Sequence, residues 1–103
     1  MTKLSENLPI EEARERLRQL ISELAVVRGH VVLASGKEAD YYVDLRRITL
    51  HHEASRLVGQ VMLDLLDKNG IEFEAAGGLT MGADPVGTAI MRAAGDQDRA
   101  IDA

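Results

Sequence analysis

The 103-residue sequence predicts an α/β chain. Amphipathic helical stretches alternate with β-branched and aromatic runs, and a short strand pattern leads through a glycine-rich loop into a further helix. Helix, strand, glycine loop and helix in succession are the opening of a βαβ unit. One domain is the default at this length. With only Tyr41, Tyr42 and Phe73 as aromatic residues, its core must be aliphatic.

The first element is a helix over residues 9–25. Ile10, Ala13, Leu17, Leu20, Ile21 and Leu24 recur with a 3.6-residue period. Pro9 suits the first helical turn, whose N–H groups have no intrahelical partner. Glu11 and Glu12 favour the same end through the helix dipole, and Glu12–Arg16 is spaced as an i,i+4 pair. A pair of strands follows. Val26-Val27 and Val31-Val32-Leu33 flank Arg28-Gly29-His30, and Tyr41-Tyr42-Val43-Asp44-Leu45 comes after a turn at 35–38, which suggests a hairpin or short meander. The next helix spans 50–68. Ala54, Leu57, Val58, Val61, Met62, Leu65 and Leu66 make a core-facing stripe, Thr49 is placed as N-cap, and Gly70 suits the left-handed position that ends a helix. A strand is expected at 71–76 and a helix at 84–94. A parallel sheet requires a second strand after that crossover helix, so strand 71–76 is expected to be an edge without a partner on that side.

Composition excludes several classes. Net charge is −5, from 12 basic and 17 acidic residues, and non-specific nucleic-acid binding calls for a basic excess. There is no cysteine, hence neither a disulfide nor a thiolate metal site. No apolar run reaches the ~18–20 residues that span a bilayer, and residues 1–9 show no signal-peptide core. No nucleic-acid or membrane partner is expected, and a cytoplasmic location is the simplest expectation.

Two segments carry chemistry. Gly77-Gly78-Leu79-Thr80-Met81-Gly82-Ala83-Asp84-Pro85 follows a strand and precedes a helix. Its glycines allow a ligand close to the backbone, and N–H groups at a helix start attract phosphate or carboxylate. It fits neither the Walker loop nor the dinucleotide fingerprint. The other reading is an ordinary glycine-rich turn in which Asp84 caps the helix, with Pro85 behind it; both can hold together. The second segment runs from Ser35 through Arg47. Lys37, Arg46 and Arg47 gather positive charge in an acidic chain, and adjacent tyrosines on a strand point to opposite faces. One can enter a core while the other offers a ring and hydroxyl to a pocket. A plain surface hairpin with one buried tyrosine remains equally open. His30, His51 and His52 lack the i,i+4 spacing of helical zinc ligands. Asp40 and Asp44 share a strand face without a catalytic partner, and Met62, Met81 and Met91 are expected to pack.

Taken together, Ser35-Gly36-Lys37-Glu38-Ala39-Asp40-Tyr41-Tyr42-Val43-Asp44, then Arg46-Arg47 and Leu50-His51, then Gly77-Gly78-Leu79-Thr80-Met81-Gly82-Ala83-Asp84-Pro85-Val86, closely resemble the orotate phosphoribosyltransferases. The resemblance runs over about residues 13–103. It implies the fold of a type I phosphoribosyltransferase: an N-terminal helix and hood in residues 1–48, and in 49–103 the first strand, loop and helix of a truncated parallel-sheet core. It implies transfer of phosphoribosyl from PRPP to orotate, giving orotidine 5′-monophosphate and pyrophosphate in pyrimidine biosynthesis. Mg2+ would come with PRPP and not from ligands of this chain, and a homodimer is implied. Ser35, Gly36, Lys37, Tyr41, Tyr42 and Val43 match the orotate-facing hood. Leu79, Thr80, Met81 and Gly82 match the loop that contacts the pyrophosphate of PRPP through its backbone.

The match has departures. Many members of the family carry lysine where this chain has Ala34, and lysine again where it has Met81. The family's basic catalytic loop and acidic PRPP motif follow the position of Ala103, so no catalytic residue is expected among these residues and no turnover from them alone. The alternative is a non-catalytic binding or interaction fragment that keeps an orotate- or phosphate-binding surface.

Overall fold

A computed structural model describes residues 7–103; the reading of the first residues as lacking a signal core lies outside this range for residues 1–6. Helix α1 spans Ile10–Leu20 and continues as a π-helical turn over Ile21–Ala25. Together they occupy the segment the apolar period predicted. Pro9 stands one position earlier than expected, as the N-cap, and its carbonyl accepts the Ala13 N–H at 2.9 Å.

Strand β1, Val26–Val32, pairs antiparallel with β2, Glu38–Val43. The two short valine runs are therefore one strand. Its register shifts between Arg28 and Val31, where Gly29 has φ 122°, a conformation that a side chain disfavours and that lets a strand carry an irregularity without ending. Leu33 belongs to the turn, which Gly36 closes at φ 84° by donating its N–H to the Leu33 carbonyl at 2.8 Å. No residue of the hairpin is fully buried.

The expected helix over 50–68 starts four residues late, and a short unexpected helix precedes it. A short α2, Arg46–Thr49, comes first, and α3 begins only at Ala54 and runs to Lys68. Thr49 thus lies inside α2 and caps nothing. The cap role falls to His51, whose Nδ1 accepts the N–H groups of Glu53 and Ala54 at 3.2 and 3.1 Å. Helix α3 closes as expected. Gly70 takes φ 65°, its N–H reaches the Asp67 carbonyl at 3.1 Å, and the Ile71 N–H reaches Leu66 at 3.0 Å, the paired bonds of a Schellman end.

Residues 71–76 form no extended strand. Their one ladder contact is a parallel bridge between Ala75 and Asp102. The Asp102 N–H donates to the Glu74 carbonyl at 3.0 Å, and the Ala76 N–H to the Asp102 carbonyl at 2.9 Å. The expected partnerless edge is corrected accordingly. After α4, Asp84–Gly95, the chain returns alongside residue 75 in the parallel sense a βαβ crossover requires.

Two apolar clusters hold the elements. Ala13, Leu20, Ala25, Ile48, Ala54, Leu57 and Val58 join α1, α2 and α3, while Leu63, Ile90, Ala94 and Ile101 join α3, α4 and the returning segment. Met62 and Val86 touch both. The helices of the second cluster approach closely: a Cβ on Gly59 would lie 2.2 Å from the Ala89 carbonyl oxygen, and one on Gly87 would lie 2.7 Å from that of Ala76. The latter contact seats the start of α4 against the glycine loop.

Candidate functional site: an anion-binding loop beside a cationic cleft

The loop before α4 is solvent-exposed from Gly77 to Gly82. Among the described residues, the amides of those six residues donate to no backbone carbonyl. Unpaired backbone N–H groups need water or a ligand. Six in succession, next to the positive pole of a helix dipole, are donors of the kind an anion can use. The loop is held from both sides. The Ala83 N–H donates to the Leu79 carbonyl at 3.0 Å, and the Thr80 hydroxyl donates to the Asp84 carboxylate. Asp84 therefore does not cap α4, as the turn reading expected; its carboxylate is engaged by the loop itself, while Pro85 stands in the first turn as expected. Leu79 and Met81 are 90% and 80% exposed and contribute no charge.

A cleft of about 750 Å³ lies next to this loop. One side is α4 and its end, with Asp84, Pro85, Thr88, Ala89, Arg92, Ala93 and Asp96. The other is the corner between α2 and α3, with Arg46, Leu50, His51, His52, Ser55 and Arg56. Met81 and Gly82 of the loop line the same cleft. The rings of His51 and His52 lie 4.2 Å apart at 33°. Among the described residues Arg56 and Arg92 have no acidic partner within ion-pair distance.

Arg46 reaches the cleft in a fixed pose. The Asp44 carboxylate accepts its Nε at 3.0 Å, its terminal nitrogen at 3.2 Å and its backbone N–H at 3.3 Å, and Arg47 Nε lies 3.6 Å from the same carboxylate. Those hydrogen bonds from Arg46 hold the Asp44 carboxyl below the usual carboxylate range, against partial desolvation. The corner is braced from behind by Arg16 on α1. Its guanidinium grips Glu53 in a two-point contact at 2.8 and 3.0 Å, which likewise lowers the Glu53 carboxyl. The expected Glu12–Arg16 pair gives way to this tertiary one, because Arg16 lies on the flank of α1 that meets the α2–α3 corner.

The hood residues fall elsewhere. Ser35, Gly36 and Lys37 form the exposed hairpin turn, where the Ser35 hydroxyl accepts the Lys37 N–H at 3.4 Å. Tyr41, Tyr42 and Val43 oppose Arg28, Val27 and Val26 across the ladder. Neither tyrosine is buried; they are 57% and 36% exposed. None of these six residues lines this cleft. Sequence reasoning did not single out Arg56, Arg92 or the Asp44 carboxylate for the site. Of the cleft's arginines only Arg46, noted in a charge cluster, was singled out, beside Met81, Gly82, Asp84 and Pro85 of the glycine-rich segment.

No family model matches the chain. It is 56% identical over 94 residues to an orotate phosphoribosyltransferase from Streptomyces avermitilis, a match covering 91% of this chain and 50% of that protein. The crystal structure of Mycobacterium tuberculosis orotate phosphoribosyltransferase in complex with Fe(III) dicitrate superposes with a TM-score of 0.74 at 54% identity, covering 87% of this chain and 49% of that one. The same protein in complex with PRPP gives a TM-score of 0.68 at 52% identity, covering 79% and 46%. The chain thus spans about half the length of the relatives it matches. In sequence and in fold it is similar to the N-terminal part of the orotate phosphoribosyltransferases.

Proposed function

We propose that the chain supplies the hood and the diphosphate-binding loop of an orotate phosphoribosyltransferase, which joins the phosphoribosyl group of PRPP to orotate and releases pyrophosphate. The observation that carries this reading is the row of six free amides leading into α4, next to a cationic cleft. In the proposal Leu79, Thr80, Met81 and Gly82 hold the diphosphate of PRPP through the backbone. Ser35, Gly36, Lys37, Tyr41, Tyr42 and Val43 face orotate, with the boundary between hood and core near residue 48.

The leaving group of this reaction is pyrophosphate, so donors fixed in advance around it lower the barrier more than side chains that must reorganise. A relative whose crystal structure contains PRPP supports the choice of ligand. Mg2+ is proposed to arrive on PRPP and to offset part of the diphosphate charge. Among the described residues no three His, Asp or Glu side chains are grouped to hold a metal, and no step here is routed through one. A homodimer and a cytoplasmic location belong to the same proposal.

Calorimetric titration of PRPP into the 103-residue chain, run beside an assay for orotidine monophosphate, tests it. Saturable PRPP binding without turnover is expected. Absence of PRPP binding overturns the loop assignment, and turnover by these residues overturns the expectation that they bind without catalysing.

A further inference from the structure

The loop brings no cation of its own. Between Gly77 and Pro85 the one ionisable side chain is Asp84, which is negative. A diphosphate carries several negative charges, and backbone dipoles alone leave much of that charge uncompensated at a site next to a carboxylate. Beyond what Mg2+ on PRPP would offset, side-chain compensation has to come from a neighbouring element, and the arginines that share the cleft with Met81 and Gly82 are Arg46, Arg56 and Arg92.

Arg46 is distinguished from the other two by how it is held. Asp44 takes one edge of its guanidinium through Nε and one terminal nitrogen, and also its backbone N–H. The Asp44 side chain is only 13% exposed and that of Arg46 is 80% exposed. The carboxylate is therefore a covered anchor and the guanidinium a presented group. A planar fork with one edge fixed keeps its other terminal nitrogen free in a set direction, so little rotamer entropy is lost when an oxyanion arrives. Arg56 and Arg92 have no such anchor. Arg46 also stands at the start of α2, with two residues between it and the end of β2.

We propose that Arg46 is the side-chain cation that pairs with the diphosphate held by the loop amides, and that Asp44 is its positioning residue. This rests on the loop reading above and assigns residues that the hood and loop motifs leave out.

The test is calorimetric titration of inorganic pyrophosphate, and separately of orotate, into the chain and its variants at fixed ionic strength. Arg46→Gln is expected to weaken pyrophosphate binding about tenfold, the scale of one charged hydrogen-bonded contact, while orotate binding holds. Arg46→Lys is expected to recover part of the loss, since it keeps the charge but not the fork. Asp44→Asn is expected to weaken pyrophosphate binding in the wild-type background but to add nothing to Arg46→Gln, a non-additivity that general damage to the fold would not produce. Arg14→Gln, on α1 outside the cleft, is the control for charge alone. If Arg46→Gln binds pyrophosphate as the wild type does, or loses orotate instead, the assignment of Arg46 is overturned while the loop reading stands. If the wild-type chain binds no pyrophosphate, the loop reading falls and this inference falls with it.

Discussion

At the scale of single residues, ion pairs decide how the cleft is walled. Arg16–Glu53 links α1 to the corner before α3, and Asp44 fixes Arg46. Both partners of the first pair are partly exposed, so solvent screening keeps its worth below ~1 kcal/mol. Arg16→Ala is expected to lower the thermal midpoint at neutral pH by a few degrees. The pair also gives stability a direction in pH. The folded Glu53 carboxyl is depressed from its ordinary 4.5 by Arg16, so its contribution is complete above about that pH and is lost as pH falls below it. Thermal melts of the wild type and Glu53→Gln between pH 3 and 7 should converge toward the acid end. Parallel curves across that range would show that the pair does not contribute in this way. None of these partners was legible in the sequence. Arg16 has an acidic neighbour at i−4, and local spacing alone favours Glu12; only the packing of α1 across α3 brings Glu53, 37 positions away, within reach.

At the scale of elements, periodicity located α1, α3 and α4 but not the short α2, and local competition set their ends. The apolar stripe of α3 and its glycine stop were readable because both are written in local sequence. The break at 50–53 was not. Leu50 is apolar and continues the stripe on paper, yet it is 71% exposed, and His51 turns its ring nitrogen back to the first amides of α3. Strand 71–76 was over-read for the opposite reason. A strand pattern shows the capacity to pair, whereas a ladder needs a partner, and here the partner is the single residue Asp102. The contact between α3 and α4 supplies a sharp test. Gly59→Ala drives a methyl group into the Ala89 carbonyl and is expected to destabilise by ~1–3 kcal/mol. Gly95→Ala, at the end of α4 with open space around it, is expected to be neutral or to stabilise by up to ~1 kcal/mol. Urea unfolding of the two variants measures both, and equal effects would contradict the close approach of the helices.

At the scale of the whole molecule, the two sequence motifs sit on differently supported parts of the fold, the hairpin and the loop before α4. The hairpin stands outside both apolar clusters and buries none of its residues fully. A two-stranded hairpin is at best marginally stable on its own, so its stability here depends on its junction with α1 and α2, where the Asp44 N–H donates to the Ala25 carbonyl at 2.8 Å. Hydrogen exchange is expected to be faster in 26–43 than in α3, and equal protection would contradict that division. The loop, by contrast, leads into the packed α3–α4 pair, where Gly87 at the start of α4 lies against Ala76. Both motifs were readable from residue types and order. What could not be read was that the hood residues stay out of the cleft beside the loop, because that depends on tertiary packing and not on local sequence.

The central claim is that the amides of residues 77–82 hold an anionic group. Amide chemical shifts of the 15N-labelled chain, followed while PRPP is added, test it most directly. The account predicts saturable shifts concentrated in Gly77, Gly78, Leu79, Thr80, Met81 and Gly82, with Arg46 responding and α1 silent. Shifts absent from the loop, or no larger there than along the exposed face of α1, would contradict it.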